Sequence, residues 1–120
     1  MIVDKELIDI ILFFENIGYK VLDIYSVKDE IYVFTDRKVE KKILEVFKGK
    51  KIFVYYFNGD VNEIINRYFY NIFRKLPRIN AIDGKIVIEH KISSSYLYKF
   101  EPLIKFLKKI TRKDIELIWK

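Results

Sequence analysis

The residues of this chain best placed to do chemistry are four cations late in the sequence. Lys105, Lys108, Lys109 and Arg112 stand at i, i+3, i+4 and i+7, a spacing that puts all four on one face of an α-helix. Phe100, Leu103, Leu107 and Ile110 fall on the opposite face. Such a stripe can follow a phosphate backbone, each contact releasing condensed counterions. The competing reading is the solvated outer face of an ordinary amphipathic helix, because charged side chains are mostly exposed. Tyr98 and Lys99 precede the stripe and, with Tyr96, offer rings and charge on which unpaired bases can stack. Tyr55, Tyr56, Tyr68 and Tyr70 read first as strand and core-rim residues whose hydroxyls need one partner each.

Other candidates are weaker. Arg37, Lys38, Lys41 and Lys42 form an earlier basic run, but Asp36, Glu40 and Glu45 dilute it and allow local pairing. Arg67, Arg74, Lys75 and Arg78 can extend a positive path, and their guanidinium groups suit phosphate better than ammonium does. His90 is the single histidine and there is no cysteine, so His-rich metal sites, thiolate sites, disulfides and a cysteine nucleophile are excluded by inventory. Ser93-Ser94-Ser95 lacks the glycine-flanked turn of a nucleophilic serine and reads as a helix cap. With four glycines, at 18, 49, 59 and 84, there is no phosphate-cradling loop. No catalytic constellation stands out, and the expectation is a non-enzymatic protein without cofactor or metal.

The net charge of +6 is uneven: residues 1–58 carry ten basic and ten acidic side chains, and residues 59–120 carry thirteen and seven. The excess, and with it the candidate polyanion face, lies in the second half. No apolar run approaches the roughly 20 residues of a membrane span, and no signal peptide is evident. These features predict a soluble cytoplasmic protein. Heavy use of Lys, Glu, Ile and Tyr with no glutamine fits a thermophile, although six asparagines pull against that.

The elements that must position these residues read as the same unit twice, over 5–57 and 62–119, which sets the boundary of two units at 1–58 and 59–120. In the first, Asp4 caps a helix over Lys5–Asn16, nearly apolar all round and so expected to be deeply packed. Strands follow at Tyr19–Tyr25 and Glu30–Thr35 around a Ser26–Asp29 loop, then a helix over Arg37–Lys48 and a strand over Lys51–Phe57. In the second, Asp60 and Glu63 resemble a capping box for a helix reaching Lys75, which Pro77 stops. Arg78–Ile82 and Lys85–His90 flank Asp83-Gly84, a strong type I′ hairpin signal. A helix over Tyr96–Lys109 and a strand over Asp114–Trp119 close the unit. The fold class is α/β (α+β).

Helix, strand, strand, helical segment, strand is the layout of a type II KH domain, an RNA-binding module. ELIDIILFFENIGYKVLDI (Glu6–Ile24) with EIYVF (Glu30–Phe34) resembles the opening of the archaeal NusA-like transcription factors, which consist of two KH domains. KKIFVYYFNGDVNEIINRYFYNIF (Lys50–Phe73) and GKIVIEH (Gly84–His90) follow in that family's order. The resemblance implies two tandem KH-like units and a partner in single-stranded RNA or in RNA polymerase and the transcription machinery. KH domains clamp RNA with a GXXG loop, and none exists here. Fifteen residues, Asp36–Lys50, separate the strands of the first unit, too few for two helices and a loop. In the second, 23 residues, Lys91–Lys113, can still hold two short helices, and the clamp position falls near Tyr98-Lys99-Phe100-Glu101, bulky and partly acidic. No RNA-binding residue of the family carries over, and a protein-interaction module that has lost nucleic-acid binding is the alternative.

Overall fold

In the computed structural model residues 5–119 are described, so Asp4, expected to cap the first helix, lies outside them. The chain divides into two compact units, Met1–Gly59 and Asp60–Lys120. Each has the order helix, strand, strand, helical segment, strand, with one three-stranded mixed sheet. This is the two-unit α+β arrangement that the repeat predicts.

The first unit runs α1 (Lys5–Asn16), β1 (Val21–Val27), β2 (Glu30–Thr35), α2 (Lys41–Leu44), a 3-10 turn over Glu45–Phe47, and β3 (Ile52–Tyr56). Central β2 pairs antiparallel with β1 and parallel with β3. All six of its residues are buried, which explains its unbroken apolar run. Ile31 and Val33 face a core of Ile10, Phe14, Tyr19, Val39 and Phe47. Tyr32 and Phe34 alternate to the other face, where Tyr32 stacks on Phe53 at 5.3 Å and Phe34 lies 6.2 Å from Tyr55.

Three expectations for this unit are corrected. Helix α1 is not packed all round: Ile10 and Phe14 are buried, whereas Ile8 and Leu12 are 41% and 49% exposed. A helix lying on a sheet seals one stripe, and positions 8 and 12 turn away from it. The first hairpin is tighter than a four-residue loop, because the ladder reaches Val27↔Glu30 and leaves only Lys28-Asp29, with φ of 48° and 64°. Both central residues at positive φ make a type I′ turn, which matches strand twist; aspartate tolerates that region. The Arg37–Lys48 helix contracts to α2 and its 3-10 turn. Thr35 Oγ1 donates to the Arg37 carbonyl, Arg37 Nη2 to the Gly18 carbonyl, and the Glu40 amide to the Tyr19 hydroxyl. These bonds and the burial of Val39 hold residues 36–40 out of helical geometry.

The second unit runs α3 (Val61–Phe73), β4 (Arg78–Ile82), β5 (Lys85–His90), a 3-10 helix (Ser94–Phe100), α4 (Glu101–Thr111) and β6 (Ile115–Trp119). The Asp60 carboxylate accepts from the Glu63 amide at 3.1 Å, as the capping signal predicts. Helix α3 stops at Phe73, two residues early, because Arg74 adopts the left-handed conformation with φ 59°. The Asp83-Gly84 turn forms as expected, with Ile82 paired to Lys85. Strand β5 is central, antiparallel to β4 and parallel to β6. The helical spacing over Tyr96–Lys109 resolves into two segments, a 3-10 helix running directly into α4, with Pro102 in the first α-helical turn, which the 23 residues Lys91–Lys113 have room for. Ser93 occupies the cap position, but its hydroxyl meets Ser95 Oγ at 3.1 Å and makes no side-chain cap bond. The core joins Ile64, Ile65, Tyr68 and Phe69 of α3 to Ile88, Phe100, Leu103, Phe106 and Leu107.

Candidate nucleic-acid interface

Helix α4 is amphipathic in the sense the spacing demands. Leu103, Phe106 and Leu107 are fully buried, Ile110 is half-buried, and Lys105, Lys108 and Lys109 are exposed. Phe106, absent from the apolar set read from sequence, is fully buried with them. Three of the four cations lie on the helix, and the fourth caps it: Arg112 sits at φ 56°, its amide donating to the Lys108 carbonyl at 2.9 Å. Lys113, just beyond the cap, is also exposed. Lys105 Nζ lies 2.8 Å from Glu101 Oε1, so part of its charge is already answered. Lys108 and Lys109 occupy the last turn, where the helix dipole favours cations.

Tyr98 and Lys99 do not join this stripe as a binding loop. Both are half-buried, the Lys99 ammonium lies 5.4 Å from the Tyr98 ring centroid, and the Lys99 carbonyl accepts from the buried Tyr68 hydroxyl. Phe100 is fully buried. Residues 98–101 therefore form a packed junction between two helical segments.

The remaining candidates sort by burial. Tyr55 and Tyr68 are core residues, Tyr56 is half-buried, and Tyr70 and Tyr96 are 50% and 43% exposed. Arg37 packs its guanidinium 4.4 Å from the Tyr19 centroid and lies 3.5 Å from Asp36, a local structural role. Lys42 pairs with Glu40, while Lys38 and Lys41 are exposed. Arg67 is half-buried against Glu63, and Arg74 lies over Tyr70 at 5.5 Å. Lys75 and Arg78 are exposed. His90 is half-buried against Phe69 and Phe73, its Nδ1 donating to the Lys91 carbonyl at 2.9 Å. Phe73 and Trp119, unremarked in sequence, share this neighbourhood; no local spacing connects them to His90.

Tyr25 and Lys85 have shifted ionisation. Burial, reinforced by the Asp23 carboxylate that accepts its hydroxyl at 2.7 Å, pushes the Tyr25 phenol well above the usual tyrosine range. Lys85, 2.8 Å from Glu116 across β5 and β6, is held cationic beyond the usual lysine range by that hydrogen bond. Among the described residues no three His, Cys, Asp or Glu side chains come together to hold a metal, and no helix is long and apolar enough to cross a membrane.

No protein-family model and no curated protein sequence matches the chain. It is similar to a solved crystal structure, that of APE1850, with a TM-score of 0.50 and 15% identity, over 98% of this chain and 100% of that one. At that identity the likeness carries the fold alone.

Proposed function

We propose that the two units are KH-like, that the chain is a non-enzymatic cytoplasmic factor of the archaeal NusA type, and that its second unit binds single-stranded RNA within the transcription apparatus. The observation that carries this reading is the exposed face of Lys105, Lys108, Lys109 and Arg112 on the unit that holds the whole positive excess. Binding there is by charge, since the Tyr98–Glu101 junction is packed where a clamp would need open backbone. Affinity is therefore modest and steeply salt-dependent. The resemblance of Glu6–Phe34, Lys50–Phe73 and Gly84–His90 to the NusA-like factors supports the partner class.

A second reading, a KH-like protein-interaction module, draws on the exposed Ile8 and Leu12 one turn apart on α1. Titration of a labelled single-stranded oligoribonucleotide at two salt concentrations separates the two. Salt-dependent binding supports the first; no binding at low salt refutes it.

A further inference from the structure

Helix α1 carries a line of residues that the core of the first unit does not use. Ile10 and Phe14 face that core, while Lys5, Ile8, Leu12 and Glu15 are all exposed. These four recur at spacings of 3, 4 and 3, so they form one line along the helix, the pattern of a seam between two packed helices. Its middle is apolar, with Ile8 and Leu12 at 41% and 49% exposure. Its ends carry opposite charges.

Those end charges are set against the stability of the helix itself. Lys5 opens α1 and Glu15 lies in its last turn, whereas the helix dipole favours an acid at the start and a base at the end. Among the described residues neither has an ion-pair partner. Local preferences broken with no local gain point to a use outside the unit.

A line of cation, apolar, apolar, anion is complementary to its own reverse. Laid antiparallel about a two-fold axis near Ile10, two copies of α1 set Ile8 against Leu12 of the other copy and Lys5 against Glu15, each contact occurring twice. A parallel pairing sets lysine on lysine and glutamate on glutamate, so charge selects the antiparallel sense. Residues 1–58 carry ten basic and ten acidic side chains, and two copies approach through them without net repulsion. Residues 59–120, with the whole positive excess, repel their own copy. Exposed Asp9 flanks the seam, and its two copies fall on one side near the axis, at a solvated rim where salt screens them.

We propose that α1 is a self-association surface, through which two copies of this chain pair antiparallel along Lys5, Ile8, Leu12 and Glu15 into a symmetric dimer. A helix of 12 residues offers far less area than a permanent dimer buries, so association is weak and concentration-dependent. The surface belongs to the first unit and is independent of the RNA-binding reading of the second.

Sedimentation velocity of the full chain from about 10 μM to about 1 mM is expected to show a reversible monomer–dimer equilibrium. Leu12→Gln keeps a helix-forming side chain and should weaken the dimer at least about tenfold. Lys5→Glu or Glu15→Lys alone should each weaken it about fivefold, because a symmetric dimer loses both end pairs and gains two like-charge contacts. The double variant restores both pairs in reversed order and should regain wild-type association to within about twofold. Each single change also aligns its charge with the helix dipole, so Tm should hold or rise while dimerisation falls, a split that loss of folding does not produce.

A chain that sediments as a monomer throughout overturns the proposal and leaves α1 to a different partner. A dimer indifferent to Leu12→Gln places the contact on another surface and overturns it too. So does a double variant no better than the single ones, which removes the antiparallel pairing of Lys5 with Glu15.

Discussion

Removing the charge of the α4 face without disturbing the helix is the sharpest test of the RNA-binding reading. Lys108→Gln and Lys109→Gln keep long side chains of good helix propensity. Arg112 needs a different choice, because it is left-handed with φ 56° and alanine there would add strain; asparagine tolerates that conformation, so Arg112→Asn removes charge alone. Each phosphate contact on a single strand contributes about 0.7 to the salt slope. Four contacts give a slope of about −2.8, and a fourfold rise in salt, from about 50 to 200 mM, then weakens binding roughly 50-fold. Lys105 is partly neutralised by Glu101 at 2.8 Å, which brings the expected wild-type slope between about −2 and −3. The triple variant retains only that compromised contact, so its slope falls to about −0.7 and the same salt step costs less than about threefold. Anisotropy of a labelled oligoribonucleotide at several salt concentrations measures both slopes. Losing cations from the last turn also costs about 0.3–1 kcal/mol each through the helix dipole, so Tm should fall slightly while the fold persists. A folded triple variant whose slope equals that of the wild type refutes the assignment: the stripe is then a solvated, helix-stabilising face.

Three further outcomes test the structure itself. Gly84→Ala should cost about 1–2 kcal/mol in denaturant melts, because φ is +76° yet nothing lies within 4 Å of the added Cβ; Asp29→Gly at the equivalent turn should stabilise by a similar amount. Tyr68→Phe should destabilise by about 1–2 kcal/mol by leaving the Lys99 carbonyl without its hydroxyl partner, and amide exchange should quicken first around residues 98–101. The Tyr25 phenol is shifted upward in the folded state, so its stabilising contribution is complete below pH ~10 and is lost as pH rises beyond that; Tyr25→Phe should flatten alkaline denaturation, and an unchanged alkaline profile would contradict the Asp23 bond.

Legibility varied with the kind of signal. The second hairpin could be read with its strand bounds because Asp83-Gly84 announces positive φ; the first forms the same turn from Lys28-Asp29, a pair that carries no such announcement. Val39, Ile43, Val46 and Phe47 have helical spacing, yet Val39 is buried from an extended segment and Val46 is 53% exposed, since bonds from Thr35, Arg37 and Tyr19 outweigh periodicity. Apolar content in α1 foretold burial that a one-sided sheet could not supply. The α4 cations were legible because helical spacing alone defines a face. Phe73, His90 and Trp119 were not, since only the parallel register and a long-range ring stack bring them together.

The difference between the two units follows from the length of one connection. A parallel crossover needs about 10–12 residues to return the chain to the start of the next strand. The first unit crosses over residues 36–51, and most of that stretch is consumed by bonds to the loop after α1, by buried Val39 and Phe47, and by one helical turn. Little is left to present a second, outward face. The second unit crosses over residues 91–114, enough for a 3-10 helix and three turns of α4, whose inner stripe seals the core and whose outer stripe carries exposed charge. Tyr96, on the 3-10 segment, meets Phe73 at the end of α3. The added crossover length thus supplies the cationic surface, and the excess charge of the chain gathers on the unit with spare backbone to display it.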